Sequence, residues 1–215
     1  MQLRTKVLSA CSLFVDYIYL DTEERRRFAQ VSHEYLIEQL QFTGTESVTS
    51  TTNNIKLSLN HPCKELIWVV QNPSYIDCNS TINYPWAYTD SILGNPTASA
   101  KLQLNGQDRF TEREGEYFNS VQPYQHHTRT PSIGINCYSF ALKPEDLQPS
   151  GTCNFSRIDN AVLNLTLTPY TFETFALDFS GHNYYPQTSA NVNVYATNYN
   201  VLRIMSGMGG LAYSN

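Results

Sequence analysis

Apolar and polar residues alternate along several short segments of this chain, and this alternation is the feature that most limits its fold. In "NIKLSLN" (residues 54–60), three apolar side chains alternate with Lys and Ser. The segment "AVLNLTLTPY" (residues 161–170) repeats the pattern with leucines against Asn and Thr. A period of two puts successive side chains on opposite faces of a β-strand. The chain is therefore predicted to consist mainly of half-buried strands.

About eight strands are expected, at irregular spacing. The other strand-like segments are "KELIWVVQ", "AKLQLNGQDRF", "SIGINCYSFAL", "FETFALDF" and "NVNVYATNYNVLRIM". Long loops are expected near residues 73–97, 108–131 and 180–190, and Asn105-Gly106 is a strong hairpin-turn signal. No alternation of strands with helices occurs, so the fold predicted is all-β, an antiparallel sandwich with Greek-key connections.

The N-terminal part of the chain is predicted to contain a strand and a helix. In the segment Lys6 to Leu20, apolar residues occur at both odd and even positions, which is typical of one long strand covered on both faces. Asp21 can then cap a short helix, about Thr22 to Val31, with Glu24 at the N3 position of a capping box. The next segment, "HEYLIEQLQF", fits either an extension of this helix or a strand, and the strand is favoured.

Charge and composition argue against nucleic-acid and membrane-spanning functions. The net charge is −5, and the only basic run, "ERRRF" (residues 24–28), has acidic neighbours, so it is interpreted as a solvated helix face rather than a phosphate site. No apolar run approaches 18 residues, so nothing is predicted to span a bilayer. Only 15% of the residues are charged and 15 are tyrosines, a composition that favours surfaces in contact with protein. From Phe179 to Asn215, Arg203 is the only charged residue, which indicates a C-terminus packed against protein.

The residues that could carry chemistry do not form a recognisable site. Adjacent His126 and His127 would point to opposite faces of a strand, so no metal site is predicted. The glycine run "GMGG" (residues 207–210) lacks the Lys-Ser/Thr of a phosphate loop and is interpreted as a place where the backbone turns. The five cysteines include no CxxC pair and are interpreted as reduced, mostly buried thiols. No cofactor is predicted, and the chain is expected not to be an enzyme.

Two polar or aromatic stretches keep a binding function open. Glu112, Glu114 and Glu116 share one face if extended, and could bind Ca²⁺, although a solvated surface is the simpler interpretation. The stretch "NYPWAY" ends at Tyr88 and could stack on sugars or pack at a subunit contact. The alternative function is therefore a carbohydrate-binding or host-attachment β-sandwich module.

Four longer stretches carry a resemblance to a known family. They are "VDYIYLDTEERRRFAQVSHEYLIEQLQ", "VQPYQHHTR", "YSFALKPEDLQPSGTCNFSRIDNA" and "NYNVLRIMSGMGGLAYSN". Together they resemble the major capsid proteins of nucleo-cytoplasmic large DNA viruses, a family with phycodnavirus-, mimivirus- and iridovirus-like members, and the phycodnavirus- and mimivirus-like ones look most similar. The resemblance runs from about Val15 to Asn215.

The resemblance implies an antiparallel jelly-roll β-sandwich with one short helix and long loops. Members of this family fold as two jelly rolls in tandem. Residues 1–215 are accordingly expected to form a single jelly-roll domain similar to the second, C-terminal roll, with the first roll absent. The chain is then either a fragment or a stand-alone single-roll relative, and the fragment is favoured.

The function that the resemblance implies is structural. Homotrimeric, pseudo-hexameric capsomers would tile an icosahedral shell, in contact with neighbouring capsomers and minor capsid proteins. Assembly is expected in the host cytoplasm and the protein in the virion, without direct contact to nucleic acid and without membrane insertion, although an inner membrane can underlie the shell. The candidate contact residues are Arg25, Arg26, Arg27, Arg203, Met205, Met208 and Leu211. The candidate glycan sites are the sequons at Asn79, Asn154 and Asn164.

Overall fold

The computed structural model of the chain describes residues 10–76, 86–90, 92–178, 181–186 and 188–213. Within these residues most of the regular structure is β. The strands are β1 (His33–Val48), β2 (Thr52–Lys56), β3 (Pro62–Gln71), β4 (Thr97–Leu104), β5 (Gln107–Asp108), β6 (Arg113–Glu114), β7 (Ile135–Ser139), β8 (Cys153–Asn154), β9 (Ala161–Leu167), β10 (Glu173–Asp178), β11 (Gly181–Pro186), β12 (Ala190–Met205) and β13 (Met208–Leu211). The α-helices are α1 (Thr22–Gln30) and α2 (Gln122–His126).

Two antiparallel sheets form a sandwich. The first sheet has the order β1-β12-β3-β7, with β13 added to β12 and β8 added to β3. The second has the order β2-β9-β4-β5, with β6 added to β4, and β10 and β11 form a separate hairpin. Because the chain passes from one sheet to the other at β1–β2, β2–β3 and β3–β4, this is the connectivity of a jelly roll, as predicted.

The core lies between the sheets and is filled from alternate positions of each strand. On β3, Leu66, Trp68 and Val70 point inward and are fully or almost fully buried. Val192, Val194 and Ala196 do the same on β12. From the second sheet, the inward residues are Ile55, Leu102, Leu163, Leu165 and Leu167. The leucines of the alternating segments are therefore the core, as their period of two predicts.

Helix α1 begins at the predicted capping box. The Asp21 carboxylate accepts from the Glu24 N–H at 2.8 Å, and the Glu24 carboxylate accepts from the Asp21 N–H at 3.4 Å. The helix is fastened to the first sheet near its C-terminal end, where the Gly207 N–H donates to the Phe28 carbonyl at 3.2 Å. The Phe28 ring also packs on the ring of His33, with 4.8 Å between centroids. The next segment, "HEYLIEQLQF", which fits either an extension of the helix or a strand, lies in the strand β1, as favoured.

Two tight turns place residues in the left-handed region. At the predicted hairpin turn between β4 and β5, Asn105 and Gly106 have φ values of 51° and 79°. Between β12 and β13, Ser206 and Gly207 have φ values of 53° and 78°. Positive φ at both central residues is the pattern of a type I′ turn. The prediction that the backbone turns at the glycine run is confirmed at Gly207.

The strand predicted over Lys6–Leu20 is wrong for residues 10–20. These residues have no regular structure and pair with no strand of the sandwich. Phe14 is 94% exposed and Ile18 is 87% exposed. Both sheets are complete without this segment, so its apolar side chains have no surface to cover within this chain.

Two of the predicted loops contain more structure than expected. Residues 108–131 include β6, a π-helical turn at Tyr117–Val121 and the second helix α2, so one short helix was too few. The loop predicted near residues 180–190 is wrong over Gly181–Pro186, which is strand β11 paired with β10. The pairing of this segment with β10 decides its structure.

Candidate assembly surfaces

The outer face of the first sheet carries an apolar strip along β1 and β12. The strand register places Phe42 opposite Tyr195, Leu40 opposite Thr197 and Leu36 opposite Val201, all on the side away from the core. The rings of Phe42 and Tyr195 stack with 4.8 Å between centroids. Met205 and Met208 face each other where the face continues into β13. We call this the β1–β12 strip, and its apolar members are Leu36, Leu40, Phe42, Tyr195, Val201, Met205 and Met208.

The outer face of the second sheet is polar. Its registers align Thr52 with Thr166 and Ser99, and Asn54 with Asn164 and Lys101. The outward groups bond to each other. The Gln103 amide donates to the Asp108 carboxylate at 2.8 Å, and the Asn164 amide donates to the Gln103 side-chain oxygen at 3.1 Å. This face is therefore suited to water, and the two outer faces of the sandwich differ in chemistry.

Four of the predicted contact residues lie on the β12–β13 hairpin. Met205, Met208 and Leu211 are all exposed. Arg203 pairs with Glu34 of β1, with its Nη2 and Nε atoms 2.6 Å and 2.8 Å from the same carboxylate oxygen. The hairpin thus presents apolar side chains beside an ion pair that is already satisfied within the chain.

The three predicted contact arginines lie on α1, and all three are exposed. Arg26 pairs with Glu23 at 2.6 Å, one turn earlier on the helix. The carbonyl of Arg27 accepts from the Val31 N–H at 3.0 Å and closes the last helical turn. The interpretation of this basic run as a solvated, salt-bridged helix face agrees with these positions.

The sequons differ in accessibility. Asn154 is exposed in β8, where its side-chain oxygen accepts from the Ser156 N–H at 3.1 Å. Asn164 is half-buried in the middle of β9 and bonds to Gln103. Asn79 lies outside the described residues. A glycan would displace a side-chain bond on the sheet at Asn164 but would extend from an exposed turn at Asn154.

The acidic and histidine stretches do not converge on a binding site. The Glu112 carboxylate accepts from the Ser99 hydroxyl, and the Glu116 carboxylate accepts from the Ser120 hydroxyl at 3.2 Å. His126 Nδ1 lies 3.0 Å from the Leu142 carbonyl oxygen, and His127 Nε2 lies 2.8 Å from Glu65 Oε2. Among the described residues, no group of three or more His, Cys, Asp or Glu could hold a metal ion. No helix within that same part of the chain is long and apolar enough to cross a membrane.

Two ionic contacts on the outer face of the first sheet were not predicted. Lys64, which is 1% exposed, contacts the Glu38 carboxylate and lies 5.2 Å from the centroid of the Tyr199 ring. Its ammonium also donates to the Asp146 carbonyl at 3.3 Å. Lys64 occupies the irregularity where the register of β3 and β12 shifts. A buried charge needs a partner of this kind, so the contact fixes β1, β3 and the 143–150 loop together.

The second contact is the pair of His127 and Glu65. His127 Nε2 lies 2.8 Å from Glu65 Oε2, and the Thr197 hydroxyl donates to Glu65 Oε1 at 3.2 Å. His127 lines a groove of about 280 Å³ together with Ile67, Pro123, Arg129, Thr130, Pro131, Ile135 and Cys137. The hydrogen bond to Glu65 raises the pKa of His127 against the opposing effect of burial, and Glu145 adds to the rise. Burial raises the pKa of the Cys137 thiol to about 12, which leaves it protonated and unreactive.

This pair predicts a pH-dependent contribution to stability. Because the pKa of His127 is raised in the folded state, its contribution is complete below the pKa of the unfolded state, about 6.5, and is lost as pH rises through the folded-state pKa. Glu65→Gln should lower the free energy of unfolding by ~1.5–3 kcal/mol below pH 6, the range for a hydrogen bond to a charged group. The difference in unfolding free energy between Glu65→Gln and the wild type should shrink towards pH 9. Denaturant titrations from pH 5.5 to pH 9 measure this difference.

His126→Gln is the matched control because it leaves the Glu65 pair intact. It should reproduce the pH dependence of the wild type. A deficit for Glu65→Gln that stays constant from pH 5.5 to pH 9 would show that the pair is not charged in the folded protein.

Comparison with known proteins gives the family. A sequence model of the large eukaryotic DNA virus major capsid protein family matches residues 24–210. The major capsid protein of Pyramimonas orientalis virus is 52% identical over 97% of this chain and 50% of its own length. Those of Phaeocystis pouchetii virus and Paramecium bursaria Chlorella virus 1 are each 48% identical, over 97% and 95% of this chain and 54% of their own length. The chain spans about half the length of the curated relatives it matches.

Solved structures agree with the sequence comparison. A chain in a quasi-atomic model of the PBCV-1 virus capsid is similar with a TM-score of 0.71 and 45% identity, over 93% of this chain and 56% of that one. The Faustovirus major capsid protein, at 14% identity and a TM-score of 0.67 over 86% of this chain and 36% of that one, shares the fold. The jelly-roll topology, the family match over most of the chain and these likenesses lead to one conclusion. The chain belongs to the major capsid protein family of large eukaryotic DNA viruses.

Proposed function

We propose that this chain is a structural part of a viral capsid and acts through the surfaces that it offers to other copies rather than through a reaction. The observation that carries the proposal is the likeness to a chain of the PBCV-1 virus capsid over 93% of this chain at 45% identity. A rigid sandwich of two packed sheets suits this role, because it holds its lateral faces in fixed orientations. The relatives that match are named as capsid proteins.

The finer form of the proposal is a homotrimeric, pseudo-hexameric capsomer. Three copies around a threefold axis form a closed ring of head-to-tail contacts. Neighbouring capsomers and minor capsid proteins would then contact the outer sides of the ring, in a shell assembled in the host cytoplasm and retained in the virion. The exposed apolar hairpin side chains, Met205, Met208 and Leu211, support a protein contact at the C-terminal end of the sandwich.

The exposed segment of residues 10–20 supports a second sandwich in the complete capsid protein. It is apolar at both parities, and none of its residues pairs with the sheets described above. The curated relatives are about twice as long as the part that this chain matches. We infer that residues 10–20 form a strand of the other half, and that the jelly roll of this chain begins at α1.

Sedimentation analysis of the purified chain tests the capsomer. The expected species has three times the 24.5 kDa mass of the chain, in exchange with monomer as the concentration falls. A chain that sediments as a monomer at every concentration, including millimolar, would contradict trimer formation by this jelly roll.

Reversing two charges on α1 should impair assembly without unfolding the domain. Arg26→Glu with Arg27→Glu removes one exposed ion pair, with Glu23, which costs ~1 kcal/mol or less. The unfolding midpoint should therefore change little while the fraction of trimer falls. Arg157→Glu with Lys143→Glu changes the net charge equally at exposed positions outside α1, and should leave the trimer intact. An equal loss of trimer in both double variants would indicate a net-charge effect instead of a contact at α1.

A further inference from the structure

We propose that the β1–β12 strip is buried against a second copy of this chain. This inference rests on the proposed function and adds the face that the copies share. The strip shares Met205 and Met208 with the predicted contact residues, but its centre lies on the sheet itself, at Leu36, Leu40 and Phe42.

The first argument is the exposure and extent of the strip. Leu40 is 67% exposed in the middle of a 16-residue strand, and Phe42 and Leu36 are exposed beside it. Phe42 to Leu36 covers about 20 Å of strand, and Val201 to Met205 adds about 14 Å. Two strands wide, the strip amounts to roughly 300–400 Å², within the range of the largest apolar patch on a typical monomer, which is often functional.

The second argument is that the charges that β1 and β12 carry on this face are neutralised within the chain. Glu34 pairs with Arg203, and Glu38 pairs with Lys64. A partner therefore meets an apolar surface with no net charge. Two copies of the same chain can approach through such a face without like-charge repulsion, which a surface with unpaired glutamates would impose.

The third argument is the contrast with the other sheet. The outward residues of β2, β9 and β4 are mainly Thr, Ser, Asn, Gln and Lys, and they bond to one another. An apolar outer face is less favourable in contact with water than a polar one. The distribution indicates that the first sheet is covered in the assembled protein, while the second is solvated.

The fourth argument is the free edge of β1. Within the described residues, β1 pairs only with β12, so its other edge ends the first sheet. A long open edge beside apolar side chains is prone to unwanted association unless it is covered. A second copy seated on the strip would cover both. Under the proposed function, a second copy of the chain is the partner that this face meets.

The test is sedimentation of the complete 215-residue chain and two variants. Leu40→Glu places a charge at the centre of the strip and should weaken self-association at least tenfold. Ile133→Glu places the same charge at a residue that is 53% exposed and lies just before β7, which is at the far edge of the sheet from β1. It should associate like the wild type. Since both side chains are exposed, neither change should lower the unfolding midpoint much.

The outcomes separate this inference from the capsomer proposal. A wild-type trimer that Leu40→Glu leaves intact overturns the inference and leaves the capsomer in place. A wild-type dimer that Leu40→Glu dissociates supports the strip but overturns the trimer, and a monomer at all concentrations overturns both. If Leu40→Glu does not fold, hydrogen exchange of the wild type decides. The amides of residues 33–42 should exchange more slowly as the protein associates, and unchanged rates would overturn the inference.

Discussion

Gly115→Ala is expected to destabilise the jelly roll by about 3 kcal/mol or more, at or beyond the upper end of the range for overpacked sites. A Cβ atom built on Gly115 would lie 1.8 Å from the carbonyl oxygen of Thr97 and 3.0 Å from the Asn95 amide nitrogen. The first neighbour is backbone in β4, which is fixed by pairing with β9 and β6. The backbone of Thr97 cannot move away cheaply, so the loss should appear as a lower midpoint in denaturant unfolding.

Gly210→Ala provides the matched control. A Cβ atom at Gly210 would meet open space, and the residue does not require a positive φ. Its effect should stay within about 0.5 kcal/mol, as for other surface substitutions. Equal midpoints for the two variants would mean that the 114–116 segment is free to move away from β4, contrary to the close approach seen here.

The parts of the fold that the sequence predicts are those that depend on local pattern. In β9, the alternation of leucines with Asn and Thr is the alternation of buried and half-buried residues in the structure. The start of α1 follows from Asp21 and Glu24, which lie within one turn of each other. The β4–β5 turn follows from Asn105 and Gly106 alone. Each of these signals acts over a few residues, and no distant partner is needed to interpret it.

The N-terminal segment shows where local pattern stops being sufficient. Apolar residues at both odd and even positions indicate a strand with two covered faces, and Phe14 and Val15 fit that description. The pattern does not specify which sheet supplies the cover. In this chain neither sheet does, so the segment remains exposed. The same limit applies to β11, whose pairing with β10 depends on a hairpin that the composition of residues 180–190 does not signal.

The candidate surfaces were largely out of reach of sequence because they join residues that are far apart in the chain. Leu40 meets Thr197 and Leu36 meets Val201 only after β1 and β12 pair. Glu38 finds Lys64 at a register shift that no motif marks. What sequence could supply was the low charge of the C-terminal region, which predicts contact residues at Arg203 and its neighbours but does not show β1 as the other half of the face.

Trp68→Ala is expected to cost about 3–5 kcal/mol, the range for removing a large aromatic side chain from a core. Trp68 is 0% exposed between the two sheets, and its ring meets Phe118 edge-on at 5.0 Å between centroids. Its indole N–H donates to the Thr97 hydroxyl at 3.3 Å, and the same hydroxyl accepts from the Asn136 amide. The substitution therefore leaves a cavity and also removes one bond from a buried polar group.

The second tryptophan of the chain makes this prediction specific. Trp86 is 83% exposed, so Trp86→Ala should change the free energy of unfolding by no more than about 0.5 kcal/mol. Far-UV circular dichroism is the appropriate readout, because each variant loses one of only two indole fluorophores. Trp68 is the largest side chain buried between the two sheets. An unfolding midpoint of Trp68→Ala equal to that of the wild type would therefore mean that this core does not hold the sheets together. A large loss for Trp86→Ala alone would instead place the stabilising contacts in the 86–90 segment, and the sandwich would then depend on a loop rather than on its packed sheets.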